Sequence, residues 1–147
     1  MKGGCVTQIQ PEGTVDRIPT VRQLLARLHQ VLIIAERNEL EQEQGSVGAG
    51  DLLQRLLGDE RFAWLRPMGR MVTKLDDLLA EAEKRGSPIS ERMARQALID
   101  VRRVVSRTTG LQAGWRYADW VQRDPDIVLA HAALASALRS QPTAWAA

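Results

Sequence analysis

The chain has 147 residues, 44% of them hydrophobic and 26% charged, which suits one globular domain with a substantial core. A formal charge of +2 beside a pI near 9.1 marks a slight arginine excess and excludes a strongly cationic surface overall. Cys5 is the only cysteine, so a disulfide-stapled secreted fold is excluded, and no apolar window is long enough to span a bilayer.

Residues 1–18 carry glycines, Pro11 and no sustained period, and are expected to form a flexible arm with Cys5 facing solvent. The opening "MKGGCVTQIQPEGTVD" lacks the apolar run of a secretory or lipoprotein signal, so a cytoplasmic location is the expectation. The first strong helix follows "IPT". Thr20 is placed to cap it, and Val21, Leu24, Leu25, Leu28, Val31, Leu32 and Ala35 recur at helical spacing. It should run to about Gln44, where "GSVGAG" stops it. Its last turns, "ERNELEQEQ", are acidic. Acid at a helix C-terminus opposes the macrodipole, so this end is expected to fray or to meet a basic partner. Ile33 and Ile34 lie off the main stripe and offer a second packing surface, for the C-terminal helices or for a second subunit.

After Asp51, "LLQRLL" predicts a short helix ended by Gly58. In "RFAWLRPM", Phe62 and Trp64 are two of only six aromatic residues in the chain, and Pro67 suits a first helical turn. "RFAW" is therefore expected as a turn or helical stub kinked into a long helix. From Met68 through Met71, Val72, Leu75, Leu78, Leu79 and Ala82 the apolar positions form one stripe. "GSP" at 86–88 ends that helix, and Ser87-Pro88 opens the next, in which Met93, Ala94, Ala97, Leu98, Val101, Val104 and Val105 share a face. "GWRYADWVQR" predicts a short helix. "DPDIVLAHAALASALRSQ" predicts a last one, capped by Asp124 with Pro125 in its first turn. No segment alternates as a strand would. The prediction is all-α: an antiparallel bundle of about five or six helices over residues 19–140, four forming the core, with a flexible tail at 141–147 that exposes Trp145.

"FAWLRP" (Phe62 to Pro67), with "KLDD" after it and "LH" and "AER" in the first helix, resembles a group of small all-helical bacterial proteins of uncharacterised function. The similarity covers roughly residues 20–85. It implies a helical fold and a bacterial source, and carries no catalytic or ligand residues to this chain.

Three constellations are candidates for chemistry. His29 and Glu36 lie two turns apart along one helix, His131 interrupts the face made by Ile127, Leu134 and Leu138, and Asp76 borders the stripe of Val72 and Leu75. Facing helices build metal sites from such imidazoles and carboxylates, so His29, Glu36, Asp76 and His131 are a candidate divalent-metal set. No Glu-x-x-His or His-x-x-x-His spacing supports it, and a histidine held by one hydrogen bond is the structural alternative. Second, Arg92, Arg95, Arg102, Arg103 and Arg107 are placed opposite the apolar stripe of their helix, against two acids, Glu91 and Asp100. Such a row holds phosphates, meets an acidic protein surface, or is simply solvated. The acidic run Glu36, Glu39, Glu41 and Glu43 is a partner for it within or between chains. Third, Phe62, Trp64, Trp115 and Trp120 are expected as bulky core plugs.

No glycine-rich phosphate loop, Gly-x-Ser-x-Gly elbow or cysteine pair is present, so hydrolytic catalysis is not expected and no cofactor is required. The expectation is a non-enzymatic protein-interaction module whose partner is another protein or a second copy of itself. A metal-binding bundle and a nucleic-acid-associated protein are its rivals, and no membrane partner is expected.

Overall fold

The computed structural model describes residues 13–110 and 115–139. Among them the chain folds as α1 (Thr14–Gln44), α2 (Ala49–Gly58), a 3-10 helix (Glu60–Leu65), α3 (Arg66–Arg85), α4 (Glu91–Thr109), α5 (Trp115–Arg123) and α6 (Pro125–Arg139). No strand occurs among the described residues, and the architecture is an all-α helical bundle. No described helix is long and apolar enough to cross a membrane. Cys5 and Trp145, with most of the expected arm and all of the tail, lie outside the described residues.

The longest helix, α1, is the axis of the fold. Ile18, Val21, Leu25, Leu28, Leu32 and Ala35 recur every three or four residues and are all buried. They meet α3, α4 and α6, which also bury the most apolar side chains of their own. The helix starts at Thr14, ahead of the predicted Thr20 cap, and carries Pro19 inside it. That proline removes one internal hydrogen bond. What offsets the loss is tertiary: Ile18 is fully buried, and Arg17 donates to the Ala137 and Leu138 carbonyls at the end of α6, at 2.6 and 3.2 Å. Residues 14–18 are thus helix and not arm.

The remaining boundaries follow local chemistry. Gly45, at φ 86°, ends α1 with its N–H on the Glu41 carbonyl at 2.8 Å, a conformation that a side chain would strain. The Asp59 side chain accepts from the Arg61 N–H and starts the 3-10 helix, and Pro67 enters the first turn of α3 as expected. Arg66 turns back to donate to the Leu56 and Asp59 carbonyls at 2.9 and 2.6 Å, which closes the end of α2. α4 begins at Glu91, three residues after Pro88, because Ser90 caps it by accepting from the Met93 N–H at 3.2 Å. α2 sits outside this core: it buries none of its residues and packs chiefly on the 3-10 helix.

Candidate interaction surface

The acidic end of α1 is occupied from within the chain. The Glu36 side chain is 0% exposed and accepts four hydrogen bonds. Its Oε1 accepts from Arg116 Nε at 2.7 Å and Trp120 Nε1 at 3.1 Å, and its Oε2 from Arg116 Nη2 at 2.8 Å and Arg61 Nε at 3.1 Å. A buried carboxylate is tolerated only when paired and hydrogen-bonded in this way. Arg61 continues outward to Glu39 at 3.1 Å and Glu43 at 2.8 Å, and these bonds raise its pKa, Glu43 contributing most. Arg123 lies 4.5 Å above the Trp120 ring and 3.4 Å from Glu39. Glu41 accepts from the Val47 N–H and from Arg37, which hold its carboxyl below its ordinary range. The sequence reading paired these acids with the arginines of α4. The structure pairs them instead with arginines from the 3-10 helix, α5 and α1 itself, because those arginines lie beside the end of α1 in the fold. Arg61 and Arg116 are preceded or followed by buried aromatics, and Arg116 and Trp120 share one helical line. That spacing was the available signal for this cluster.

The four metal candidates do not come together. Among the described residues no group of three or more His, Cys, Asp or Glu is placed to hold a metal ion. Asp76 is bound by Arg22 through bonds of 2.6 and 3.3 Å. Glu36 is saturated by the arginines above. His131 Nδ1 is hydrogen-bonded to the Tyr117 hydroxyl, with the two rings edge-to-face at 5.3 Å. His29 bonds to the Leu65 backbone and packs so closely on Gly69 that a Cβ there would lie 3.1 Å from the imidazole. Burial lowers the pKa of both histidines and raises that of Tyr117 to about 12. Both rings are half-buried, neutral members of the packing.

Of the predicted aromatic plugs, Phe62 and Trp120 are buried and Trp64 packs, half-buried, against the core. Trp115 does not belong with them: it is 91% exposed. Tyr117 and Trp120 face inward, three residues apart, and the helical step of roughly 100° per residue turns Trp115 away from both.

On α4 the arginine row divides. Arg102 lies at the edge of the buried stripe, not opposite it, and donates to the Leu138 carbonyl at 2.6 Å. With Arg17 it holds the negative end of α6, a structural task. Arg92, Arg95, Arg103 and Arg107 point outward and form no hydrogen bond or ion pair among the described residues. Between them, four residues from both Arg95 and Arg103, stands Ile99 at 45% exposure. An open groove of about 330 Å³ adjoins this face, lined by Pro67, Arg70, Met71, Lys74, Asp100 and Arg103 among others. Lys74 bonds Asp100 at 2.7 Å and is the main reason that carboxyl sits below its ordinary range; Gln96 and the charge of Arg103 add to it. Asp100 is thereby neutralised, and the face between α3 and α4 is cationic with an apolar centre. Ile99 and Arg70 were not singled out in the sequence, although Ile99 interrupts a polar face at helical spacing.

No family model, no curated protein and no solved structure matches this chain.

Proposed function

We propose that the chain is a non-enzymatic binding module, and that the outer face of α4 docks an acidic segment of another protein. The observation that carries this reading is the contrast between the two charged regions. Every glutamate at the end of α1 has its arginine, whereas Arg92, Arg95, Arg103 and Arg107 form no hydrogen bond or ion pair among the described residues and surround an exposed isoleucine. Arginine is favoured at interfaces because its planar fork grips carboxylates in pairs of bonds, and an apolar residue ringed by charge is a usual anchor. An amphipathic acidic helix, with carboxylates flanking one apolar side chain, matches both features.

Phosphate backbones are the competing ligand for such a row. Among the described residues no aromatic ring lines the groove beside Arg103, so base stacking has no platform there. Fluorescence anisotropy separates the two readings, using a labelled acidic amphipathic peptide and a labelled DNA duplex. We expect the peptide to bind and to lose roughly tenfold or more in affinity on either Ile99→Ser or the reversal of Arg92, Arg95 and Arg107 to glutamate. Duplex binding that falls on charge reversal but ignores Ile99→Ser would favour nucleic acid. Peptide binding that is indifferent to both variants would remove α4 from the function.

A further inference from the structure

The groove between α3 and α4 holds one acid among several cations. One wall is the helical line of Arg70, Met71 and Lys74, and the other is that of Asp100, Arg103 and Val104. The Asp100 side chain is only 17% exposed, so it has lost much of its water and needs partners. Both oxygens have one. Oδ2 accepts from Lys74 Nζ at 2.7 Å, and Oδ1 from Gln96 Nε2 at 3.0 Å.

The partner that Asp100 lacks is the informative one. Asp100 and Arg103 are three positions apart, the spacing at which an acid and a base on one helix ordinarily pair. Lys74 does most to hold the Asp100 carboxyl below its ordinary range, and Arg103 is near enough to add its charge. Yet Arg103 forms no hydrogen bond or ion pair among the described residues, nor does Arg70 on the other wall, and both stand exposed. A lysine on another helix has taken the carboxylate instead. We infer that Lys74 is a positioning residue for the arginine face: by holding Asp100 it leaves Arg103 and Arg70 free for a partner's carboxylates, and loss of its charge closes the face from within. Without Lys74, Oδ2 lacks a donor where little water reaches it, and a guanidinium lining the same groove supplies one. The arginine so captured is withdrawn from the outer face. The inference rests on the reading of α4 as a docking face for acidic segments, and adds the contact that keeps that face available.

Two measurements on the full chain test it, with circular dichroism to confirm that each variant keeps its helices. The first uses the free protein and follows solvent exchange of the Arg70 and Arg103 Nε–H protons by NMR. Lys74→Met keeps the aliphatic length and removes the charge, so exchange at one of these arginines should slow by roughly threefold or more. Adding Asp100→Asn to that chain should restore the wild-type rate. Unchanged exchange in Lys74→Met would overturn the inference. The second is anisotropy with the labelled acidic peptide at physiological salt. Lys74→Met should weaken binding by roughly five- to tenfold, and Lys74→Arg should stay within about twofold of wild type. Lys74→Met with Asp100→Asn should also return to within about twofold of wild type. Lys74→Met with Asp77→Asn has the same net charge but leaves Asp100 in place, and should not recover. A loss that Asp100→Asn does not rescue, or that Asp77→Asn rescues equally, would show that Lys74 does not act through Asp100. If the peptide does not bind the wild-type chain, the docking reading falls, and the exchange rates alone decide whether Lys74 keeps the arginines free.

Discussion

Glu36→Gln is the sharpest test of how the bundle is closed. The substitution keeps the shape of the side chain but replaces one carboxylate oxygen by an amide that can only donate. Whichever oxygen is lost, two of the four bonds go with it, and N–H groups then face the N–H groups of Arg61, Arg116 or Trp120. A hydrogen bond to a charged group contributes about 1.5–3 kcal/mol, and the lower end applies here because the Arg116 side chain is 41% exposed and keeps part of its hydration. The expected loss is therefore about 3 kcal/mol, or roughly 6–12 °C in Tm for a domain of this size. Urea unfolding followed by circular dichroism and tryptophan fluorescence measures it, with an unchanged m-value showing that the transition is the same one. Arg116→Ala should cost less in the Glu36→Gln background than in the wild type, since the two act on one network. A loss below about 1 kcal/mol would refute the view that Glu36 fastens α5 and the 3-10 helix to α1.

Other outcomes follow from the packing. The pKa values of His29 and His131 are lowered on folding by burial, so their contribution to stability is present above the ordinary value of 6.5 and is lost as pH falls below it. Thermal melts between pH 7 and pH 5 should show Tm falling, and His29→Gln with His131→Gln should flatten that slope. Gly69→Ala should gain less stability in the wild type than in a His29→Ala background, where the helix-propensity gain of about 1 kcal/mol is no longer opposed by the imidazole 3.1 Å away. Equal effects in both backgrounds would show that His29 yields. Phe62→Ala should lose about 3–5 kcal/mol by denaturant unfolding, while Trp115→Ala should stay within about 0.5 kcal/mol.

Much of this architecture was legible in the residues. The stripe from Val21 to Ala35, the stub at "RFAW", Pro67 in a first turn and Pro125 opening α6 are local patterns. Helical spacing and proline chemistry act within a few residues of each other and need no distant partner. Trp115, expected as a buried plug, is exposed instead, because Tyr117 and Trp120 take the inward side of its helix and the helical step turns it away from both. The start of α1 was not legible, because nothing near Pro19 favours helix. The burial of Ile18 and the α6 carbonyls that receive Arg17, about 120 positions away, make helix there favourable.

The candidate sites divide on the same line. Which side chains are charged, and which share a helical face, is written in the sequence. Which charges cancel is not, because Coulomb attraction and hydrogen bonding depend on distance in space. Glu36 and Arg116 are eighty residues apart along the chain and 2.7 Å apart in the fold. The same folding that joined them left Arg92, Arg95, Arg103 and Arg107 on α4 without a hydrogen bond or ion pair among the described residues. The sequence alone therefore determined a helical bundle and its charged and apolar faces. The tertiary structure decided which of those faces are spent on the fold and which stay exposed, since only packing brings distant groups close enough to neutralise one another.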